Sequence, residues 1–240
     1  TVALNGDGGD ESFAGYERYI ADRLATYYEK LPAFLRENII KHLVNLLPHQ
    51  ENRTRFLRRL KRFINGISEP AERRYVRWIC FFDNEMKKEL YTSSFMEQVA
   101  AVDSVDLIVA WYAKSDATNF LDKTLFVDVM SYQPDDLLVK VDIASMANSL
   151  EARSPFLDQK LLEFAATLPP HLKLKGFDSK YLLKKAFAQI LPKEVLHRKK
   201  MGFGVPIDKW IRGELKDMTY EILLENRTIQ RNIFKPMAVR

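Results

Sequence analysis

One cysteine stands among 240 residues. That scarcity excludes an internal disulfide framework and fits a reducing, cytoplasmic setting. Cys80 lies in Trp78-Ile-Cys80-Phe-Phe82. Apolar flanks of this kind predict a buried, inert thiol, because reactive thiolates need cationic neighbours. The four histidines, His42, His49, His171 and His197, show no metal-site spacing with a second ligand. They offer no Ser-His-Asp arrangement either. Nine glycines form no flexible linker, and no repeat or low-complexity tract interrupts the chain. No apolar run approaches the roughly 20 residues that span a bilayer, and no signal-peptide pattern is seen. Neither sign of charge dominates: 37 Lys and Arg face 32 Asp and Glu, a net +5. So modest a balance suits phosphate and carboxylate ligands without requiring nucleic acid. Hydrophobic content of 47% is ordinary for a globular chain of one to two domains.

What the chain does have begins at its first residue. Thr1-Val-Ala-Leu-Asn5-Gly-Asp7-Gly-Gly-Asp10-Glu11 is a short apolar run ending in three glycines and three carboxylates. Val2-Ala3-Leu4 reads as the end of a buried strand, and Gly6, Gly8 and Gly9 let the backbone turn and approach a ligand. Carboxylates beside such a turn suit Mg²⁺, which takes one or two of them together with phosphate oxygens. The structural alternative is an acidic hairpin turn.

Beyond the loop nearly everything reads as helix, and strand signal is confined to residues 1–4. Helical spacing predicts helices near 12–30, 32–48, 53–62, 71–82, 85–90, 104–115, 118–132, 136–149, 158–168, 178–190 and 206–222. Pro32 opens the second, with Phe34, Leu35, Ile39, Leu43, Val44 and Leu46 inward. Ser93-Ser94 caps a further short helix. The segment holding Arg53, Arg55, Arg58, Arg59, Lys61 and Arg62 has an apolar stripe of Phe56, Leu57, Leu60 and Phe63. It reads as an amphipathic helix with a solvated basic face rather than a nucleic-acid surface. Leu137, Leu138, Val141, Ala144, Met146 and Leu150 predict a well-buried helix. Lys140 and Asp142 would be costly inside it unless paired or in a site.

Three blocks carry a family resemblance. The first is Asn5-Gly-Asp7-Gly-Gly-Asp10-Glu11-Ser-Phe13-Ala-Gly15-Tyr16. The second is Pro134 to Lys140-Val-Asp142, continuing to Leu150-Glu151-Ala-Arg153-Ser-Pro155-Phe-Leu-Asp158. The third is Lys180-Tyr-Leu-Leu-Lys184, then Arg198-Lys199-Lys200-Met-Gly-Phe203-Gly-Val-Pro206. Their order and content resemble the asparagine synthetase (glutamine-hydrolysing) family. The first departs from its Ser-Gly-acid-Gly-x-Asp-Glu-x-Phe-x-Gly-Tyr pattern at Asn5, in place of Ser, and at Ser12, in place of a bulky apolar residue.

The resemblance implies a mainly α chain, the C-terminal helical portion of an α/β ATP-pyrophosphatase synthetase domain. The N-terminal glutaminase domain and the Ser-Gly-Gly-x-Asp-Ser pyrophosphate loop of the family are not in residues 1–240. It implies ATP-dependent conversion of aspartate, through an aspartyl-adenylate, to asparagine with ammonia from glutamine. It places Asp7, Glu151 and Lys200 at the reaction, with Gly6, Asp7, Gly8, Lys140, Asp142, Lys199 and Lys200 toward ATP and substrate, and Asp10 on Mg²⁺. Glu11 is left between a metal-side role and a helix cap, and Asp158 is read as an N-cap. A homodimer is an allowed assembly. Three alternatives stay open: a related amide- or macrolactam-forming synthetase using another acid, a non-catalytic helical interaction module, and a degenerate remnant.

Overall fold

In a computed structural model, residues 1–47, 55–99, 101–198 and 205–239 are described. The chain divides into two units, one of residues 1–78 and 107–200, the other of 79–106 and 201–240. Both are mainly helical, as the periodicity predicts.

In the first unit, β1 (Val2–Leu4) pairs in parallel with β2 (Glu151–Arg153), Val2 opposite Glu151 and Leu4 opposite Arg153. A parallel pair so distant in sequence brings the opening loop beside the residues after β2. β2 departs from the expectation, which places almost all strand signal at residues 1–4. A three-residue Glu-Ala-Arg segment has no strand propensity of its own, and its conformation comes from pairing with β1. A second small sheet, β3 (Leu174–Lys175) against β4 (Asp178–Ser179), turns at Gly176 with φ 60°. The last predicted helix of this unit is therefore shortened to Tyr181–Ala186.

The predicted 12–30 helix is split. A turn of helix, Gly9–Ser12, is followed by Ala14 at φ 55° and then by the Glu17–Tyr28 helix. Beneath the first turn, Phe13, Ala165 and Leu168 form a core cluster packed by Phe156, Leu161, Leu182 and Leu183. Asp158 caps the Gln159–Thr167 helix, accepting from Leu161 N at 3.2 Å, as expected.

The interior also holds a polar knot. The Phe120–Met130 helix carries Asp128, which is 0% exposed. Its Oδ2 accepts from Arg18 Nη2 at 2.9 Å, from Tyr19 OH at 2.5 Å and from Tyr75 OH. Arg18 Nε also donates to Tyr75 OH at 2.6 Å. Burial, with Asp128 next in importance, raises both phenol pKa values, so Tyr19 and Tyr75 remain donors. Nearby, buried Arg74 pairs with Asp22 at 3.1 Å and with Glu29, and buried Lys173 pairs with Asp122 at 2.8 Å. Asp128, Arg74 and Lys173 thus each have a partner of opposite charge.

Two burial expectations fail. The Val139–Met146 helix has no buried residue: of the predicted stripe, Leu137, Leu138, Val141 and Leu150 are half-buried, and Ala144 and Met146 are exposed. Among the described residues of 32–48 only Val44 is buried, while Phe34, Leu43 and Leu46 are exposed. Apolar spacing defines a stripe but does not supply a layer to cover it. In the basic segment, Leu60 and Phe63 are half-buried, and Phe63 stacks on Trp78 at 5.8 Å. Arg53 lies outside the described residues, and so do the side chains of Arg55, Phe56, Arg58, Arg59 and Arg62.

In the second unit, Asp83 caps Asn84–Leu90, accepting from Met86 N at 2.9 Å. The next helix, Ser93–Val99, is capped by Thr92 rather than by Ser93-Ser94: Thr92 Oγ1 accepts from Phe95 N at 3.2 Å. Cys80 is half-buried rather than buried, next to exposed Phe81 and Phe82. The 206–222 prediction resolves into Ile207–Arg212 and Lys216–Leu224, interrupted at Gly213.

Replacing Asp128 by Ala strands the Arg18 charge and two phenols in the interior. Unfolding in urea should show a loss of about 3–5 kcal/mol, the usual cost of breaking a buried pair.

Candidate functional site

The opening loop is held from three directions. Asn5 N donates to Arg153 O at 2.9 Å, continuing the register of the strand pair. Ser154 Oγ donates to Asp7 O at 2.5 Å. Gly8, at φ 84°, lies where a Cβ would overlap Leu157 and press on Gln133, so that position requires glycine. The first two sequence blocks therefore meet around one loop, as their resemblance implies.

Within the loop the side chains differ sharply in circumstance. Gly6 faces open space. Asp7 is half-buried, and Asn5 fixes it: Asn5 Nδ2 donates to Asp7 Oδ2 at 2.8 Å, and Asn5 Oδ1 accepts from Asp7 N at 3.4 Å. The Asn5 departure from the family pattern thus orients the neighbouring acid. Ser12 is buried, and its Oγ has no hydrogen-bond partner among the described residues, at a position where the family usually places an apolar group.

Asp10 is buried and ion-paired, its Oδ1 2.8 Å from Lys180 Nζ. Lys180, at φ 52°, also donates its amide to Phe13 O at 3.1 Å. The third block thereby joins the first two through its leading lysine. A divalent cation fits Asp10 only in exchange for that ammonium. Among the described residues no group of three or more His, Cys, Asp or Glu is arranged to hold a metal.

Glu11 is 1% exposed and accepts from Tyr16 OH at 2.5 Å. It sits inside the short helix rather than capping it. Burial raises its pKa above the ordinary 4.5, with the Tyr16 hydrogen bond opposing. The Tyr16 ring is covered in turn by the Arg18 guanidinium at 3.9 Å, which also lies 4.5 Å from the Tyr132 ring. An unbroken series of contacts runs from Asp128 through Arg18 and Tyr16 to Glu11.

Other expected residues are arranged differently. Glu151 opens β2 on the exposed face shared with Arg153, and the two pair at 2.7 Å. Ser154, three residues later, is the one that reaches Asp7. Lys140 and Asp142 are exposed on the Val139–Met146 helix, and Lys140 pairs with Asp136 at 3.9 Å. Lys199, Lys200, Gly202 and Gly204 lie outside the described residues, and Arg198 is exposed. Residue patterns did not single out Arg18, Asp128 or Ser154. Lys180 fell within a matched block but carried no role. A separate apolar groove of about 820 Å³ is lined by Arg18, Leu24, Tyr27, Leu31, Phe63 and Trp78, and none of the acids above borders it.

A raised Glu11 pKa means that the folded state holds a proton the unfolded chain releases. Stability should therefore fall as pH rises from about 4.5 through the folded value, where νU is smaller than νN. Glu11→Gln keeps an acceptor for Tyr16 and should flatten this decline, read by urea midpoints between acid and neutral pH.

The asparagine synthase family model matches residues 1–240. Asparagine synthetase [glutamine-hydrolyzing] 1 of Bacillus subtilis is 33% identical over 231 residues, 95% of this chain and 34% of that protein. Asparagine synthetase [glutamine-hydrolyzing] 3 of the same organism is 38% identical over 119 residues, 45% of this chain and 19% of its own length. A fungal protein, amidase chyE of Penicillium rubens, is 25% identical over 235 residues, 89% of this chain and 33% of that protein. The chain spans about a third of the length of the curated relatives it matches along most of its own length. No solved structure matches it. Among the described residues no helix is long and apolar enough to cross a membrane.

Proposed function

The chain belongs to the asparagine synthase family, and from that premise we propose that it is the C-terminal part of a synthetase that forms an amide at the expense of ATP. In this reading ATP activates the side-chain carboxylate of aspartate as an acyl-adenylate, pyrophosphate leaves, and ammonia drawn from glutamine by a separate domain attacks the activated carbonyl. The fold is read as the helical portion of an ATP-pyrophosphatase domain.

The observation that carries the reading is the convergence of three distant sequence blocks on one acidic loop. β1 and β2 join the first two, and the Lys180–Asp10 pair brings in the third. Asp7, held by Asn5 and beside the open space at Gly6, is the acid that faces substrate. Lys200 balances negative charge developing at the α-phosphorus, and Lys199 adds attraction for pyrophosphate. Lys140 and Asp142, both solvent-facing, reach toward nucleotide or substrate. Glu151 manages the proton of the incoming amine once Arg153 releases it. Asp10 would hold Mg²⁺, whose role when bound is to neutralise phosphate charge.

The matched blocks also admit a second reading, in which another acid is activated. Aspartate-dependent ATP–pyrophosphate exchange separates the two. This chain joined to the upstream part of its synthetase should exchange with aspartate, whereas the chain alone should not. Lys200→Ala in the longer protein should lower the rate by about 10²–10³, the usual effect of removing one fixed electrostatic stabiliser. Exchange that depends on a different carboxylic acid would assign the second reading. Robust exchange by residues 1–240 alone would refute the need for an upstream part.

A further inference from the structure

The Lys180–Asp10 pair is built with unusual care for a contact that the reaction above does not use. The two side chains are 29% and 12% exposed, with Nζ 2.8 Å from Oδ1. Three separate constraints bring the ammonium there. Lys180 adopts a left-handed backbone, φ 52°, that non-glycine residues rarely take. Its amide is fixed on Phe13 O at 3.1 Å. Gly15 leaves room for both partners, since a Cβ there would overlap the Asp10 carboxylate and the Lys180 stem.

We infer that Lys180 is the resident counter-ion of Asp10, exchanged when a divalent cation arrives on a polyphosphate, so that the site selects the metal–polyphosphate complex over either component alone. The inference rests on the ATP-dependent reading of this loop. The argument is one of unpaired charge. A bare divalent cation at Asp10 displaces the ammonium and leaves it partly buried without an anion, which desolvation makes unfavourable. A polyphosphate alone meets an ammonium already neutralised and a neighbouring buried carboxyl, Glu11. The complex exchanges partners. The cation passes to Asp10, a phosphate oxygen takes the Lys180 ammonium, and no charge is stranded. Metal and phosphate are thereby positively coupled through one lysine.

The test uses the chain itself with Mn²⁺ alone, inorganic tripolyphosphate alone and the two together, followed by Mn²⁺ spin resonance and calorimetry. Wild type should bind the complex at least about tenfold more tightly than Mn²⁺ alone, within the usual range of coupling between sites. Lys180→Met should erase that preference by gaining affinity for Mn²⁺ alone, and Lys180→Arg should retain it. Should Lys180→Met not fold, judged by circular dichroism, Asp10→Asn substitutes for it and should abolish the preference. A wild type without preference overturns the inference. So does either Lys180→Met or Asp10→Asn with the preference intact. Aspartate and turnover play no part in this assay, so failed exchange with aspartate and failed metal–phosphate coupling are separate results.

Discussion

A single carboxylate oxygen organises the first unit. Asp128 Oδ2 receives Arg18, Tyr19 and Tyr75, groups drawn from two other helices that lie 53 to 110 positions away in sequence. A buried carboxylate and a largely buried guanidinium are each costly to desolvate and tolerable only together. Each phenol then supplies a hydrogen bond that the carboxylate would otherwise lack. The consequence is directional. Arg18 cannot move without stranding Asp128, so its planar face has a fixed position, and the Tyr16 and Tyr132 rings pack on it. Tyr16 in turn fixes Glu11. The rigidity of the acidic turn is inherited from the interior through Arg18 and Tyr16.

That inheritance explains how three adjacent acids avoid becoming a mutually repelling cluster. Asp7 is tethered by an amide, Asp10 by an ammonium and Glu11 by a phenol. Each tether is chemically different, and so each acid keeps a different availability. The phenol-bound acid is buried and raised in pKa by burial, hence structural in character. The amide-bound acid keeps part of its exposure. The ammonium-bound acid is the one whose partner could be exchanged for another cation. Environment has divided one motif into three roles.

How much of this was legible in the residues follows from sequence distance. Local signals succeeded: the Val2–Leu4 strand, most helices and the Asp158 cap all rest on neighbours within one or two turns. β2 failed because Glu-Ala-Arg acquires its conformation only from β1. Burial of the Val139–Met146 helix failed because a row of apolar residues states a need for cover, and the described chain covers Leu137, Leu138, Val141 and Leu150 only in part and leaves Ala144 and Met146 exposed. Asp128 gave one faint signal, an acid between Val127 and Val129 in the apolar second half of its helix, residues 125–130. Its meaning depended on Arg18, whose proximity no spacing rule predicts. The candidate site residues in the matched blocks were named through resemblance alone, and resemblance supplied identities without partners.

Lys180 shows why partners matter more than identities. As a member of a matched block it was one lysine among several. Its structural position gives it two attachments to the first block, a backbone one at Phe13 and a side-chain one at Asp10. A lysine held only by its side chain could be replaced by any mobile cation. One held also by its amide returns to the same place whenever it is released, because its backbone does not leave. Such a group serves as a reversible stopper: it satisfies the acid in the absence of ligand and remains close enough to meet an incoming anion. Gly15 follows from the same requirement, for the two side chains occupy the volume that any Cβ there would claim.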